Sequence, residues 1–152
     1  MSENARIQAE RNVMFQKHLE NKQQIAQQSV VKLAADIIKP VDPEFKTIHH
    51  KLRNPRFHPF FNNCIGAIDG THIPCVVPTD KLVQHMCRKG MTTQNVLAVC
   101  DFDMRFTFVL ARWPGSVHDM RVFNDALTKY NHVFPHPPTG KHLPAVAFAA
   151  ST

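Results

Sequence analysis

The sequence predicts the opening half of an α/β or α+β domain, preceded by a helical segment. Residues 64–113 contain several short apolar runs separated by turn residues, which is the pattern of β-strands. Residues 116–129 return to the apolar spacing of a helix. The order of one helical segment, several strands and another helix is that of a mixed domain.

The first 39 residues are the predicted N-terminal helical segment. Residues 1–28 are polar but contain neither proline nor glycine, so a helix is permitted there. From Ser29 onward the apolar residues share one helix face, which predicts a packed helix that is capped by Ser29 and ends before Pro40. This face consists of Val30, Leu33, Ala34, Ile37 and Ile38. The segment is also a candidate surface for a protein partner.

Residues 40–63 are predicted to be a proline-containing linker. Basic residues stand close to phenylalanines in it: Lys51, Arg53, Arg56, Phe57, Phe60 and Phe61. In one interpretation, the rings meet nucleic-acid bases while the cations contact phosphates. In the other, the phenylalanines cover one edge of the core and the charges are simply solvated. The sequence leaves both interpretations open.

The most informative carboxylate is Asp69. Residues 64–69 predict a short buried strand that ends at this residue, with a turn at Gly70. A second strand is predicted over residues 72–77, at an edge of the sheet because it contains Pro74. A carboxylate at the end of a buried strand needs a partner, and a metal ion is a suitable one. Asp69 is therefore a candidate metal ligand.

Two stronger strands follow at residues 95–100 and 105–113, joined by a hairpin turn. A helix is then predicted over residues 116–129, with Ser116 as its cap and Asp119 in its first turn. Its apolar side consists of Val117, Met120, Val122, Phe123, Ala126 and Leu127. Asp119 is the second candidate metal ligand, although an acidic residue also suits the helix dipole at this position without any metal.

The charge balance favours a polyanionic partner. Lys and Arg outnumber Asp and Glu by 18 to 12, which gives a net charge of +6 with histidine neutral. A basic chain of this kind suits DNA, but many ordinary proteins are as basic. No run of about 18 apolar residues is present, so no membrane span is predicted.

The four cysteines form no C-x-x-C pair, which favours reduced thiols in the cytosol or nucleus. A zinc site involving His72 and Cys75 is disfavoured, because residues three apart on a strand point to opposite faces. A Cys–His nucleophile pair stays open, since nothing in the sequence singles out one pair.

The wording of residues 64–74, Cys-Ile-Gly-Ala-Ile-Asp-Gly-Thr-His-Ile-Pro, resembles the first catalytic block of PIF/Harbinger-type transposases. It is similar also to their domesticated relatives, the Harbinger transposase-derived nucleases and the plant antagonist-of-Polycomb-like proteins. The resemblance extends from about residue 30 to about residue 141. The other blocks that carry it are residues 37–45, 88–90, 93–96, 98–101 and 115–123.

The resemblance implies a ribonuclease-H-like fold and metal-dependent cleavage of DNA phosphodiesters, with Mg²⁺ or Mn²⁺ as cofactor. It implies that Asp69, on the first strand, and Asp119, on the helix after the third strand, are catalytic metal ligands. It also implies DNA as the partner, and a nuclear location with the cytoplasm as the alternative.

The family pattern stops after Gly140 and Lys141, where a strand ending in Asp-Ala-Gly-Tyr is expected and not found. No acidic residue follows Asp125. The sequence therefore predicts a partial endonuclease domain over residues 64–141 and a divergent tail over residues 142–152. Later strands and C-terminal helices are expected to be missing.

Two functions follow from this pattern. One is a nuclease-like protein with an incomplete catalytic site, and the other is a non-catalytic DNA-binding or protein-interaction module derived from a transposase. Whether the chain is itself an enzyme is left open by the sequence.

Overall fold

The computed structural model describes residues 3–145, apart from the side chains of residues 4 and 5. The chain divides between residues 37 and 38 into two compact units. In the first unit, α1 is a single helix, Glu3–Ile37. The predicted helix start at Ser29 is wrong, because the Ser29 hydroxyl lies inside α1 and donates a hydrogen bond to the Ile25 carbonyl at 2.9 Å.

The face predicted to pack at the end of α1 has no partner within the described part of the first unit. The side chains of Val30, Leu33 and Ile37 are exposed. The described part of this unit is one helix, so its apolar face has no partner element there. None of the helices within residues 3–145 is both long and apolar enough to cross a membrane.

The second unit is built on a three-stranded antiparallel sheet in the order β1-β2-β3. The strands are β1, Ala67–Pro74; β2, Thr93–Cys100; and β3, Phe106–Pro114. The predicted hairpin between β2 and β3 is confirmed. In its turn, the Asp101 carboxylate accepts hydrogen bonds from the backbone N–H groups of Asp103 and Arg105.

The turn predicted at Gly70 is wrong, because β1 runs through this residue without interruption. Each residue of β1 has a partner in β2, and Gly70 lies opposite Leu97. The other edge of β1 meets residues 142–145, which run parallel to it through bridges at Cys64–His142 and Ile68–Ala145. Residues 146–152, most of the predicted divergent tail, lie outside the described residues.

The helix α3, Asp119–Lys129, packs against the sheet. It begins later than predicted, with His118 and not Ser116 at the N-cap. Ser116 is bonded instead to the segment between β1 and β2, since its backbone N–H donates to the Gln84 carbonyl at 3.3 Å. Within the predicted apolar side, Val122 is fully buried, whereas Met120 is exposed. The core cluster consists of Ile68, Leu97, Val99, Phe108, Leu110, Val122, Ala126 and Phe134.

The segments around the sheet contain short helices: 3₁₀ turns at His50–Arg53 and Thr79–Lys81, and α2 at Leu82–His85. The first of these is fastened to the β2–β3 turn. The Lys51 ammonium donates to the Phe102 carbonyl at 2.6 Å, and His49 lies 3.2 Å from the Asp103 carboxylate. The fold is thus a partial α/β unit of helix and sheet, as the sequence predicts. The domain boundaries given above stay predictions.

Candidate functional site

The Asp119 carboxylate lies directly over Gly70. It stands at the start of α3, in the first helical turn where the sequence placed it. A Cβ atom added to Gly70 would come within 2.5 Å of the Asp119 carboxyl carbon, so no larger residue fits without displacing that side chain. This close approach accounts for a glycine in the middle of β1, where it costs backbone entropy.

Asn95 of β2 fixes the orientation of Asp119. Its amide Nδ2 donates hydrogen bonds to Asp119 Oδ1 at 2.7 Å and to the Val117 carbonyl at 2.9 Å. If the Asn95 amide were flipped, its oxygen would face the oxygens of Asp119 and Val117, and no hydrogen bond could form. The amide orientation is therefore fixed by its two partners. The side chain is fully buried, and its Oδ1 has no hydrogen-bond partner in the described part of the chain.

Asn95 was missed in the sequence, although a signal was present. It shares one face of β2 with Leu97 and Val99, because alternate residues of a strand point to the same side. Both of those residues belong to the core. A polar side chain in a series of core positions needs a buried partner, and here the partner is Asp119.

Asp69 precedes Gly70 in β1, so alternation directs its side chain to the opposite face of the sheet. It is half-buried. Burial raises the pKa of Asp69; a hydrogen bond from the backbone N–H of Gly70 opposes this, and the negative charge of Asp119 raises the pKa further. Asp119 lies where a side chain of Gly70 would be, so the fold directs the two carboxylates to opposite faces of β1.

A groove of about 500 Å³ opens beside Asp119, at the end of the sheet where α3 begins. Arg88 and Lys89 line it together with His118, and the Arg88 guanidinium lies 3.3 Å from the His118 ring. Two cations beside an acidic site suit a ligand that carries phosphate groups.

The donor atoms fit a hard divalent cation only in part. Carboxylate oxygens are the ligands that Mg²⁺ and Mn²⁺ prefer. Asp119 supplies them beside the groove, and Asp69 supplies them on the other face of β1. Within residues 3–145, however, no three histidine, cysteine or acidic side chains are grouped so as to hold a metal ion. The four cysteines are free thiols, and the His72 ring bonds the Thr93 hydroxyl at 3.1 Å.

The family model described as DDE superfamily endonuclease matches residues 68–143, which is half of the 152 residues. The match includes both candidate aspartates and Asn95. The chain belongs to this family of DDE superfamily endonucleases.

Individual relatives agree with this assignment. "Protein ALP1-like" of Arabidopsis thaliana is 48% identical over 62 residues, which cover 38% of this chain and 14% of that protein. "Putative nuclease HARBI1" of Rattus norvegicus is 34% identical over 62 residues, covering 41% of this chain and 18% of that protein. The chain thus spans less than a fifth of the curated relatives that it matches. No solved structure matches it.

Proposed function

We propose that this transposase-derived, nuclease-like chain contributes Asp69 and Asp119 to a divalent-metal site that acts on DNA phosphodiesters. The observation that carries the proposal is the Asp119 carboxylate, oriented by a fully buried Asn95 and packed against Gly70. A carboxylate that serves only a helix N-terminus needs neither of these neighbours. Groups that fix the orientation of a metal ligand are a regular part of metal sites.

In this proposal each residue of the site has a defined role. A bound Mg²⁺ or Mn²⁺ supplies the positive charge that stabilises the attacking and leaving oxygens of a phosphodiester. Asp119 would hold the ion, kept in one orientation by Asn95. Asp69 is proposed as the second ligand on the family resemblance, since β1 directs its side chain to the opposite face. Arg88 and Lys89 bind phosphate groups of the DNA in the adjoining groove.

We further propose that the isolated chain cleaves DNA slowly or not at all. Two-ion catalysis requires several carboxylates that converge on ions about 4 Å apart, and two carboxylates are only part of such a set. No acidic residue follows Asp125 within the 152 residues, so further carboxylate ligands would have to come from outside them, for example from another chain. The ribonuclease-H-like fold implied by the resemblance is also proposed, and residues 142–145, running parallel to β1, support it.

Calorimetric titration with MnCl₂ and MgCl₂ tests the metal site. We expect Asp119→Asn to weaken Mn²⁺ binding, and we expect Asn95→Ala to weaken it by roughly 10- to 100-fold, since Asn95 orients the ligand. The exposed Asp80→Asn is the matched control and should bind Mn²⁺ like the unmodified chain. Equal affinity in all four proteins would remove the proposed site.

Plasmid nicking in the presence of Mg²⁺ or Mn²⁺ tests the activity. Little or no nicking is expected from the isolated chain. Rapid nicking that disappears in Asp69→Ala would support the metal site. It would contradict the proposal that the isolated chain lacks part of the catalytic ligand set.

The second candidate is a module that binds DNA or a protein without cleaving DNA. The net charge of +6 and the apolar residues exposed on α1 favour it. DNA binding that weakens with salt, and that is unchanged in an Asp69→Asn/Asp119→Asn variant, would favour this candidate. We also propose a nuclear location, where DNA is available; imaging of the tagged chain tests it, and exclusion from the nucleus would contradict it.

A further inference from the structure

Residues 53–61 form an exposed, basic and aromatic surface that the proposed metal site does not use. We call it the aromatic loop. Both of its ends are anchored, since Leu52 and Cys64 are buried on either side of it. Every residue from 53 to 61 is exposed, so only the two anchors on either side of the loop contribute to the core.

The three phenylalanines of the loop do not cover the core, which is what one interpretation of the sequence required. Phe60 is 78% exposed, Phe61 42% and Phe57 40%. The rings of Phe57 and Phe61 meet edge to face, with their centroids 6.2 Å apart. Phe60 is in no aromatic pair within residues 3–145. Large apolar side chains that cluster on a surface commonly mark a place where another molecule binds.

The backbone holds these rings in place. The Asn54 carbonyl accepts hydrogen bonds from the N–H groups of Phe57 and His58 at 2.9 and 3.2 Å. The Phe57 carbonyl accepts one from Phe61, and the Asn54 side chain accepts one from the Arg56 N–H at 2.9 Å. A loop ordered in this way loses little conformational entropy when it binds a ligand.

The charge of the region identifies the ligand. From residue 45 to residue 68 the sequence contains four Lys or Arg, three His and no acidic residue. Lys51 is engaged by Asp103 and the Phe102 carbonyl. The guanidinium groups of Arg53 and Arg56, in contrast, have no ion pair within residues 3–145. Exposed rings beside unpaired cations match a chain of phosphates that carries flat bases.

We propose that the aromatic loop binds unpaired DNA, with bases stacking on its phenylalanines and phosphates contacting Arg53 and Arg56. Stacking requires an accessible base face, which single strands offer and the interior of a duplex does not. The inference rests on DNA as the ligand class of the proposed function. It adds a second contact, at the other end of β1 from the groove beside Asp119.

The separation of the two sites is limited by the chain itself. Ten residues connect Phe60 to Gly70, and an extended chain of that length spans at most about 36 Å. One strand of a DNA duplex covers this distance in about 11 nucleotides at about 3.4 Å each. A single-stranded oligonucleotide of about 20 nucleotides is therefore long enough to reach both sites.

Fluorescence anisotropy with a labelled 20-nucleotide single strand and the matching duplex, in EDTA, tests the proposal. Phe60→Ala should weaken single-strand binding by roughly 5- to 100-fold, the loss expected for one stacked base, and should change duplex binding much less. Phe60→Trp should restore binding, because a larger ring still stacks. Phe15→Ala in α1, where the ring is also exposed, is the matched control and should leave binding unchanged.

The cations are tested through the salt dependence. The double variant Arg53→Gln/Arg56→Gln should lower the slope of log affinity against log salt by about 1.4, because each phosphate of a single strand that is no longer neutralised lowers it by about 0.7. Arg11→Gln/Lys17→Gln in α1 removes the same charge and should leave the slope unchanged.

Several outcomes would overturn the proposal. These are the absence of single-strand binding, equal binding by Phe60→Ala and Phe15→Ala, or an equal loss for single strand and duplex in Phe60→Ala. Mn²⁺ titration of the same variants separates this inference from the proposed function. If Phe60→Ala binds DNA normally while Asp119→Asn loses Mn²⁺ binding, the loop proposal fails alone. If DNA binding depends on Phe60 and Mn²⁺ binding does not depend on Asp119, the metal site fails alone.

Discussion

The site around Asp119 and the aromatic loop hold their side chains in place in opposite ways. Asn95, Asp119 and Gly70 are fixed by packing and by a buried hydrogen bond, so each residue restricts the others. Phe57, Phe60 and Phe61 are presented to solvent by backbone hydrogen bonds between two anchors. Substitutions at the first region should therefore change the stability of the fold, whereas substitutions at the second should change binding alone.

The largest expected effect on stability comes from Asn95→Asp, which keeps the shape of the side chain but sets a carboxylate against Asp119. At pH 7.5 we expect a loss of about 3 to 5 kcal/mol in the free energy of unfolding, the cost of an uncompensated buried charge. Urea denaturation at pH 7.5 and pH 5 measures it, and the loss should be smaller at pH 5, where protonation relieves the repulsion.

The exposed Asn124→Asp in α3 is the matched control and should change the free energy of unfolding by less than about 0.5 kcal/mol. A similar loss for both variants would show that the Asn95 side chain is not confined as described.

A smaller effect is expected for Gly70→Ala, whose new Cβ atom must displace the Asp119 carboxylate. Overpacking of this kind costs about 1 to 3 kcal/mol, measured by urea denaturation. The double variant Gly70→Ala/Asp119→Ala should recover most of the loss, because the obstructing carboxylate is gone. Purely additive losses would contradict the contact, since residues that touch are not independent.

The third prediction concerns two aspartates with opposite pH behaviour in EDTA. The raised pKa of Asp69 means that its contribution to stability is present below the unfolded-state pKa and is lost as pH rises through the folded-state pKa. A hydrogen bond from His49 lowers the pKa of Asp103, so its contribution is present above the unfolded-state pKa and is lost as pH falls through the folded-state pKa.

At pH 7.5, therefore, Asp69→Asn should raise the melting temperature slightly and Asp103→Asn should lower it slightly. Melting curves of the two variants from pH 3 to pH 8 measure these changes. A shift in the same direction for both at pH 7.5 would refute the assignment of opposite environments.

The smallest effect on stability is expected for Phe60→Ala in the aromatic loop. Because the ring is largely exposed, its removal should change the free energy of unfolding by no more than about 0.5 kcal/mol. A loss above about 2 kcal/mol in urea denaturation would mean that Phe60 packs against the protein, and the contrast between the two regions would disappear.

Local patterns in the sequence were enough to predict individual elements and the family. The hairpin of β2 and β3 and the position of Asp119 in the first turn of a helix followed from apolar periodicity and turn residues, which act over a few neighbours. The α/β class followed from the order of these elements, and the endonuclease family followed from the residues of the motifs.

Only the tertiary structure decides which residues of different elements come into contact. Gly70 was predicted to be a turn, because glycine permits one, but contact with Asp119 and pairing with Leu97 keep it inside β1. Asn95 acquired its role from a helix that begins 24 residues later in the chain. The exposure of Phe60 depends equally on what surrounds it in space. Burial and pairing are set by long-range contacts. A local pattern, such as the polar Asn95 among the core positions of β2, can indicate that a partner is needed but cannot identify it.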